Sequence, residues 1–338
     1  TTGSYNLASG YRSLFANTTG AENTATGFES MKTNTTGAGN AAFGRKSLHF
    51  NTTGANNTAI GKQALYTSTT ASNNTALGVS ALYLNTTGAN NVAIGKDALV
   101  ANTTGYGNTA VGESTMLANT EGYYNTATGR LALQANTTGD FNTSMGYRSL
   151  YTSTTASNNT GIGAYALNAN TTGANNIAVG YYALNANTTA SNNTAVGYDA
   201  LRINTTGSDN VAIGKDSMDS NTTGASNAAL GLDSLQNNST GNYNTAVGRS
   251  ALSNNSTASG NTALGYYAML DNLTGANNVA VGKAALQSNT AANNVAIGYN
   301  ALFANTTGTN NSAVGTNALT ANTTGAENTA VGVNALLA

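Results

Sequence analysis

Catalysis, metal binding and covalent modification each need particular side chains within reach of one another, and this chain offers few. It holds one His, no Cys, 12 Lys and Arg and 13 Asp and Glu in 338 residues. His49 stands beside Phe50 at a variable position, with no second His and no thiol to complete a metal site or a nucleophilic triad. It is expected as an exposed surface ring. Asp97 and Asp216 sit at corresponding positions next to Lys96 and Lys215, the pattern of a solvated, charge-balanced face rather than of an acid–base pair. The regularly placed Asp of a calcium-binding β-roll is missing, and the glycines serve a period rather than a phosphate loop. The expectation is a non-enzyme with no catalytic residue, metal or cofactor.

Two residue types remain with chemistry to offer. Asn-Thr-Thr, as at Asn51-Thr52-Thr53 and Asn85-Thr86-Thr87, fits the N-glycosylation acceptor pattern. The rival reading is structural, with Asn stacked on Asn between successive coils, and a glycan on every coil would crowd its neighbours at strand spacing. All 17 Tyr fall in variable positions. Tyr181, Tyr182, Tyr198, Tyr266 and Tyr267 follow a recurring glycine and are the candidate surface-recognition residues, since an aromatic ring with a polar tip suits a sugar or a protein. They could equally cover β-surface or an oligomer contact.

What positions these groups is a repeat. Asn91-Val92-Ala93-Ile94-Gly95 recurs from end to end, with closing glycines such as Gly61, Gly78 and Gly95 spaced by 17 residues and a single spacing of 16 between Gly282 and Gly298. Twenty such units over residues 1–338 predict one repetitive domain, an all-β parallel β-solenoid, or β-roll, of 17-residue coils. Seventeen residues are too few for a strand plus a true helix, so two short strands per coil are expected, in a rod of roughly 95 Å at about 4.8 Å per coil. Strict phase argues against disorder despite the abundance of Asn, Thr, Gly and Ser. The complete lack of Pro suits a continuous ladder of backbone donors.

Each column has a physical reading. The Thr/Val-Ala-Val/Ile segment alternates as a strand does, and its β-branched column is expected to face the Leu column, Leu65, Leu82 and Leu99, inside a thin coil. Asn57, Asn74, Asn91 and Asn108 form one expected ladder, and Asn85, Asn102 and Asn119 a second. Asn-Thr-Thr-Gly reads as a turn whose Gly supplies positive φ. In the short repeat the turn Asn289-Thr290-Ala291-Ala292 absorbs the deletion, because a strand shifted by one residue would turn its buried face outward.

A net charge of −1 makes nucleic acid a poor partner, and no apolar run reaches the roughly 18 residues a membrane span needs. No leader is visible at Thr1, and neither end shows a polar cap. Either the array is a window of a longer one, or subunits stack end to end into a filament. About two large apolar residues per coil make a thin core, which predicts self-association into a homotrimer packed through the Ala column, with a lone solenoid as the alternative.

Asn-Val-Ala-Ile-Gly at 91–95, 210–214 and 294–298 resembles the head repeat of YadA-like trimeric autotransporter adhesins and the related β-roll repeats of some phage tail fibres. The resemblance covers about five residues of each unit along the whole chain. It implies a left-handed, trimeric parallel β-roll that binds host surfaces or matrix. The family repeat is nearer 14 residues, and the Leu column and the Asn-Thr-Thr-Gly turn are additions in this chain. The expected role is a structural or adhesive extracellular or cell-surface fibre, with a glycan or matrix ligand. The alternatives are a phage tail-fibre shaft on a virion and an ice-binding solenoid built on stacked Thr pairs.

Overall fold

A computed structural model describes residues 2–337. It comprises two compact units, Thr1–Thr172 and Gly173–Ala338. The first carries ten three-residue strands from β1 (Leu7–Ser9) to β10 (Thr160–Ile162), and the second ten more from β11 (Ile177–Val179) to β20 (Thr329–Val331). Within each unit every strand pairs in parallel with its sequence neighbours, one repeat away. β6 (Val92–Ile94) sets Val92, Ala93 and Ile94 against Thr109, Ala110 and Val111 of β7 (Thr109–Val111). The fold is an all-β parallel solenoid with one repeat per coil and no helix among the described residues. The short repeat behaves as its sequence predicts: Val279, Ala280 and Val281 still face Val295, Ala296 and Ile297.

The inward side of the strand differs from expectation. Its middle residue points in: Ala59, Ala76, Ala93 and Ala110 have no exposed surface. The β-branched column points out, with Ile60 39% and Leu77 43% exposed. A three-residue strand has one residue on one face and two on the other. The single inward place takes the smallest side chain, because Leu65, Leu82 and Leu99 fill the coil from the opposite side. The Ala column therefore belongs to each coil's own core and is not available to pack against a second chain.

The opposite arm is not a strand. Its second and fourth residues adopt left-handed backbone, as at Asp97 (φ 56°) and Leu99 (φ 50°). Backbone bonds still run between coils, from Leu65 N–H to Ala81 O (2.9 Å) and from Gln63 N–H to Arg45 O (3.0 Å). All twenty residues of the Leu/Met column, from Leu14 to Leu336, share this conformation. A left-handed residue costs about 1–2 kcal/mol, and burying a Leu or Met side chain contributes about 1.5–3 kcal/mol before its backbone bond is counted. The same conformation explains why Val and Ile never occupy the column: branching at Cβ makes it far worse.

Two glycine columns have different causes. Gly95 (φ +132°) closes its strand, and a Cβ there would collide with Gly112 O of the next coil. Gly88, in the Asn-Thr-Thr-Gly turn, does not have the expected positive φ. A Cβ on Gly88 would press against Gly105 O of the next coil, and Ala71 and Ala156 at the equivalent place in other coils show that the column accepts nothing larger than Ala.

Candidate functional site

Two buried files of Asn amides fix the turns on either side of the strand. In the file before the strand, Asn91 Oδ1 accepts the backbone N–H of Asn108 (2.9 Å), and Asn91 Nδ2 donates to Gly105 O (2.9 Å). Asn57, Asn74 and Asn108 repeat this, donating to Ala71 O, Gly88 O and Gly122 O at 2.8, 2.9 and 2.8 Å. These amides thus join chiefly to backbone rather than amide to amide, since each strand-entry N–H needs an acceptor outside the strand ladder. The second file is amide to amide, Asn102 Nδ2 to Asn85 Oδ1 at 2.7 Å and Asn119 Nδ2 to Asn102 Oδ1 at 2.8 Å. Ser68 and Ser153 interrupt it, and there Asn51 Oδ1, Asn136 Oδ1 and both Ser hydroxyls are buried without a partner.

With the amides inside, the surface is set by the remaining columns. The outer strand face carries the first and third strand residues, such as Thr58 and Ile60 or Val211 and Ile213. None of the 12 basic and 13 acidic residues lies in any strand. The face is therefore an uncharged stripe in each unit, mostly Thr, Val, Ile and Leu, with Phe43 and Met145 in the first.

The Tyr residues singled out from the sequence form two groups in the second unit. Tyr181 stacks on Tyr198 (5.5 Å, 20°) and meets Tyr182 edge-on (4.3 Å, 75°). Tyr266 and Tyr267 stack at 3.9 Å. Lys215 lies 5.9 Å from the Tyr198 ring, and Arg249 and Lys283 each lie 5.9 Å from Tyr266. The hydrogen bond with Tyr267 raises the Tyr266 phenol above its usual range.

His49 is buried, not exposed. Its Nδ1–H donates to Glu29 O (2.9 Å), and its ring stacks on Tyr66 at 5.3 Å, with Tyr83 stacked beyond at 5.0 Å. Burial holds its pKa below the usual value, against the pull of the Glu29 carbonyl. The Glu29 carboxylate is itself largely buried between Lys32 Nζ (2.9 Å) and Lys46 Nζ (3.7 Å), and the bond from Lys32 lowers its pKa. The signal was in the repeat: Lys32 and His49 share one column, Glu29 and Lys46 another. No three metal-ligating side chains come together among the described residues. Asp97 and Asp216 pair with their own neighbours, Lys96 (3.6 Å) and Lys215 (2.9 Å).

A second aromatic cluster was missed in the sequence. Tyr106, Tyr123, Tyr124 and Phe141 crowd the turn before the strand in three successive coils, beside Asp140. A column count over Tyr106, Tyr123 and Asp140, which sit 17 residues apart, would have found it. A scan against models of protein families finds no match to this chain, and a search of curated proteins finds none.

Proposed function

We propose that the protein is a structural segment of an extracellular or cell-surface fibre that associates with copies of itself, as a homotrimer or an end-to-end filament, and performs no catalysis. The observation that supports this reading is the uncharged outer strand face. A stripe of Val, Ile, Leu and Thr repeating at strand spacing matches a second array with the same repeat, and large exposed apolar patches mark association surfaces. The likeness to trimeric adhesin head and phage-fibre repeats points the same way. Exposed Tyr rings such as Tyr198 and Tyr266 offer contacts for a glycan or matrix ligand.

The ice-binding alternative is less well supported, because the first Thr of each pair is engaged with backbone. Thr52 Oγ1 donates to Thr69 O and Thr86 Oγ1 to Thr103 O, both at 3.0 Å, which leaves only Thr53 and Thr87 facing solvent. Sedimentation and mass per unit length by electron microscopy test the fibre reading. Three chains per cross-section are expected, and Ile60→Glu combined with Ile213→Glu should release single chains with unchanged circular dichroism. A wild-type chain that stays monomeric at high concentration refutes self-association, and strong thermal hysteresis refutes the adhesive role.

A further inference from the structure

Ring clusters recur on the surface, and several among the described residues carry a Lys or Arg of this chain. Arg12 lies 5.3 Å from the Tyr11 ring and Arg45 5.9 Å from Phe28. Arg148 lies 5.6 Å from Tyr147, Lys215 5.9 Å from Tyr198 and Lys283 5.9 Å from Tyr266, while the Tyr66 and Tyr83 stack is closed on one side by the buried His49 ring. Over Tyr106, Tyr123, Tyr124 and Phe141, no Lys or Arg among the described residues is placed.

This cluster holds an acid instead. Asp140 Oδ1 accepts the Tyr123 backbone N–H at 2.9 Å. Asp140 forms no ion pair among the described residues, and its charge raises the Tyr123 phenol above its usual range. Glu121 is exposed on the same turn. Tyr106 stacks on Tyr123 (5.1 Å, 6°) and Tyr124 on Phe141 (5.6 Å, 24°), and the two stacks cross at 77° to 83°. Gly107 makes room for them: a Cβ there would lie 2.7 Å from Tyr124 Cδ1. The rings remain open to solvent, Tyr106 41%, Tyr124 54% and Phe141 52% exposed.

We propose that this four-ring patch binds an organic cation of the quaternary-ammonium class. Ring faces attract cations through their quadrupole, and recognition of quaternary ammonium groups is the characteristic use of grouped rings. A primary ammonium is compact and strongly hydrated, so it gives up more water on the same surface. Asp140 adds direct attraction. The patch is complete within one chain and goes beyond the fibre reading, so it stands or falls without self-association.

The test is saturation-transfer NMR on the full chain with tetramethylammonium and phosphocholine. Both should bind. Tyr124→Ala with Phe141→Ala should weaken binding at least about five-fold and Asp140→Asn about three-fold, the size of exposed cation–ring and charge contributions. Tyr266→Ala, on a ring that already has Arg249 and Lys283, should change nothing. Circular dichroism must be retained, and Asp140→Asn serves if the double variant misfolds. Equal affinity for neopentyl alcohol, an uncharged group of similar shape, overturns the proposal, as does unchanged affinity in folded Asp140→Asn. Phosphatidylcholine vesicles distinguish the source. Sedimentation blocked by tetramethylammonium supports a lipid headgroup, and phosphocholine binding without sedimentation supports a free cation. Sedimentation that tetramethylammonium does not compete for overturns the proposal.

Discussion

Asn91 and Asn102 donate to the same oxygen: Gly105 O lies 2.9 Å from each Nδ2. The two amides belong to successive coils, so one carbonyl ties the strand entry of the first to the turn of the second. Asn91→Asp removes one donor and leaves a buried carboxylate facing that carbonyl. The expected loss is about 3 kcal/mol at neutral pH, the range for an uncompensated buried charge. Burial would raise the folded-state pKa of the new Asp above its unfolded value, so stability should return as pH falls through that raised value. Hydrogen exchange at the Asn108 N–H measures this locally, since repeat arrays need not unfold as one unit. Unchanged protection would refute the bridging role.

Ser68 offers the converse experiment. It stands where the second file wants an amide, and both its hydroxyl and Asn51 Oδ1 are buried without a partner. Ser68→Asn should supply a donor to Asn51 and stabilise the first unit by about 1–2 kcal/mol, the penalty of an unsatisfied buried polar atom. Chemical denaturation is the measurement. A destabilised variant would mean that the coil at Ala71 has no room for the amide.

The Leu column separates hydrophobicity from backbone conformation. Leu99 is fully buried with φ at 50°. Leu99→Met should be tolerated within about 1.5 kcal/mol. Leu99→Val should be at least about 2 kcal/mol worse, losing a methylene group and placing a branched Cβ in left-handed backbone. Equal stability of the two variants would mean that left-handed backbone does not restrict the column to Leu and Met.

His49 and Glu29 make the first unit sensitive to acid. His49 has its pKa lowered from 6.5 by burial. Between its folded and unfolded values the unfolded chain binds more protons, so stability is complete above about 6.5 and falls as pH drops below it. Glu29 is lowered from 4.5 chiefly by the Lys32 hydrogen bond, so its contribution is present above that value and lost as pH falls through its folded pKa. Urea midpoints against pH should show both steps, and His49→Gln should remove the upper one. A slope near neutrality that survives this change would assign it elsewhere.

The period, the parallel register and the deletion-absorbing turn at Ala291 were legible because they depend only on phase. The direction of the strand was not. Thr58-Ala59-Ile60 alternates whichever face is inside, and hydrophobicity alone favours Ile60 within. The Leu column opposite leaves space only for a small residue such as Ala59: a Cβ on Gly161, at the same position in its coil, would already lie 3.3 Å from Leu150 Cγ. The turn-like arm was hidden for a similar reason: a Leu column carries no sequence mark of left-handed backbone except the absence of Val and Ile. His49 was misjudged because its cover, Tyr66 and Glu29, lies in neighbouring coils.

The buried amides also bear on modification. Asn51 Nδ2 donates to Asn34 Oδ1 (2.7 Å) and to Gly54 O (2.9 Å), with no exposed surface. A sugar on Nδ2 would replace one of those hydrogens and has no space in the coil, although Asn51-Thr52-Thr53 is a good acceptor sequence. Asn56 and Asn73 head the acceptor sequences Asn56-Asn57-Thr58 and Asn73-Asn74-Thr75 and are exposed. Folded protein treated with an N-glycosylating enzyme should therefore be modified at Asn56 and Asn73 and not at Asn51 or Asn85. A chain made through an N-glycosylating secretory route meets the enzyme before the coils close, so glycans at Asn51 and Asn85 should partition into the misfolded fraction. Peptide mass mapping of soluble and insoluble material decides the matter: a glycan on Asn51 or Asn85 in soluble, fully folded protein would show that the coil can open around it.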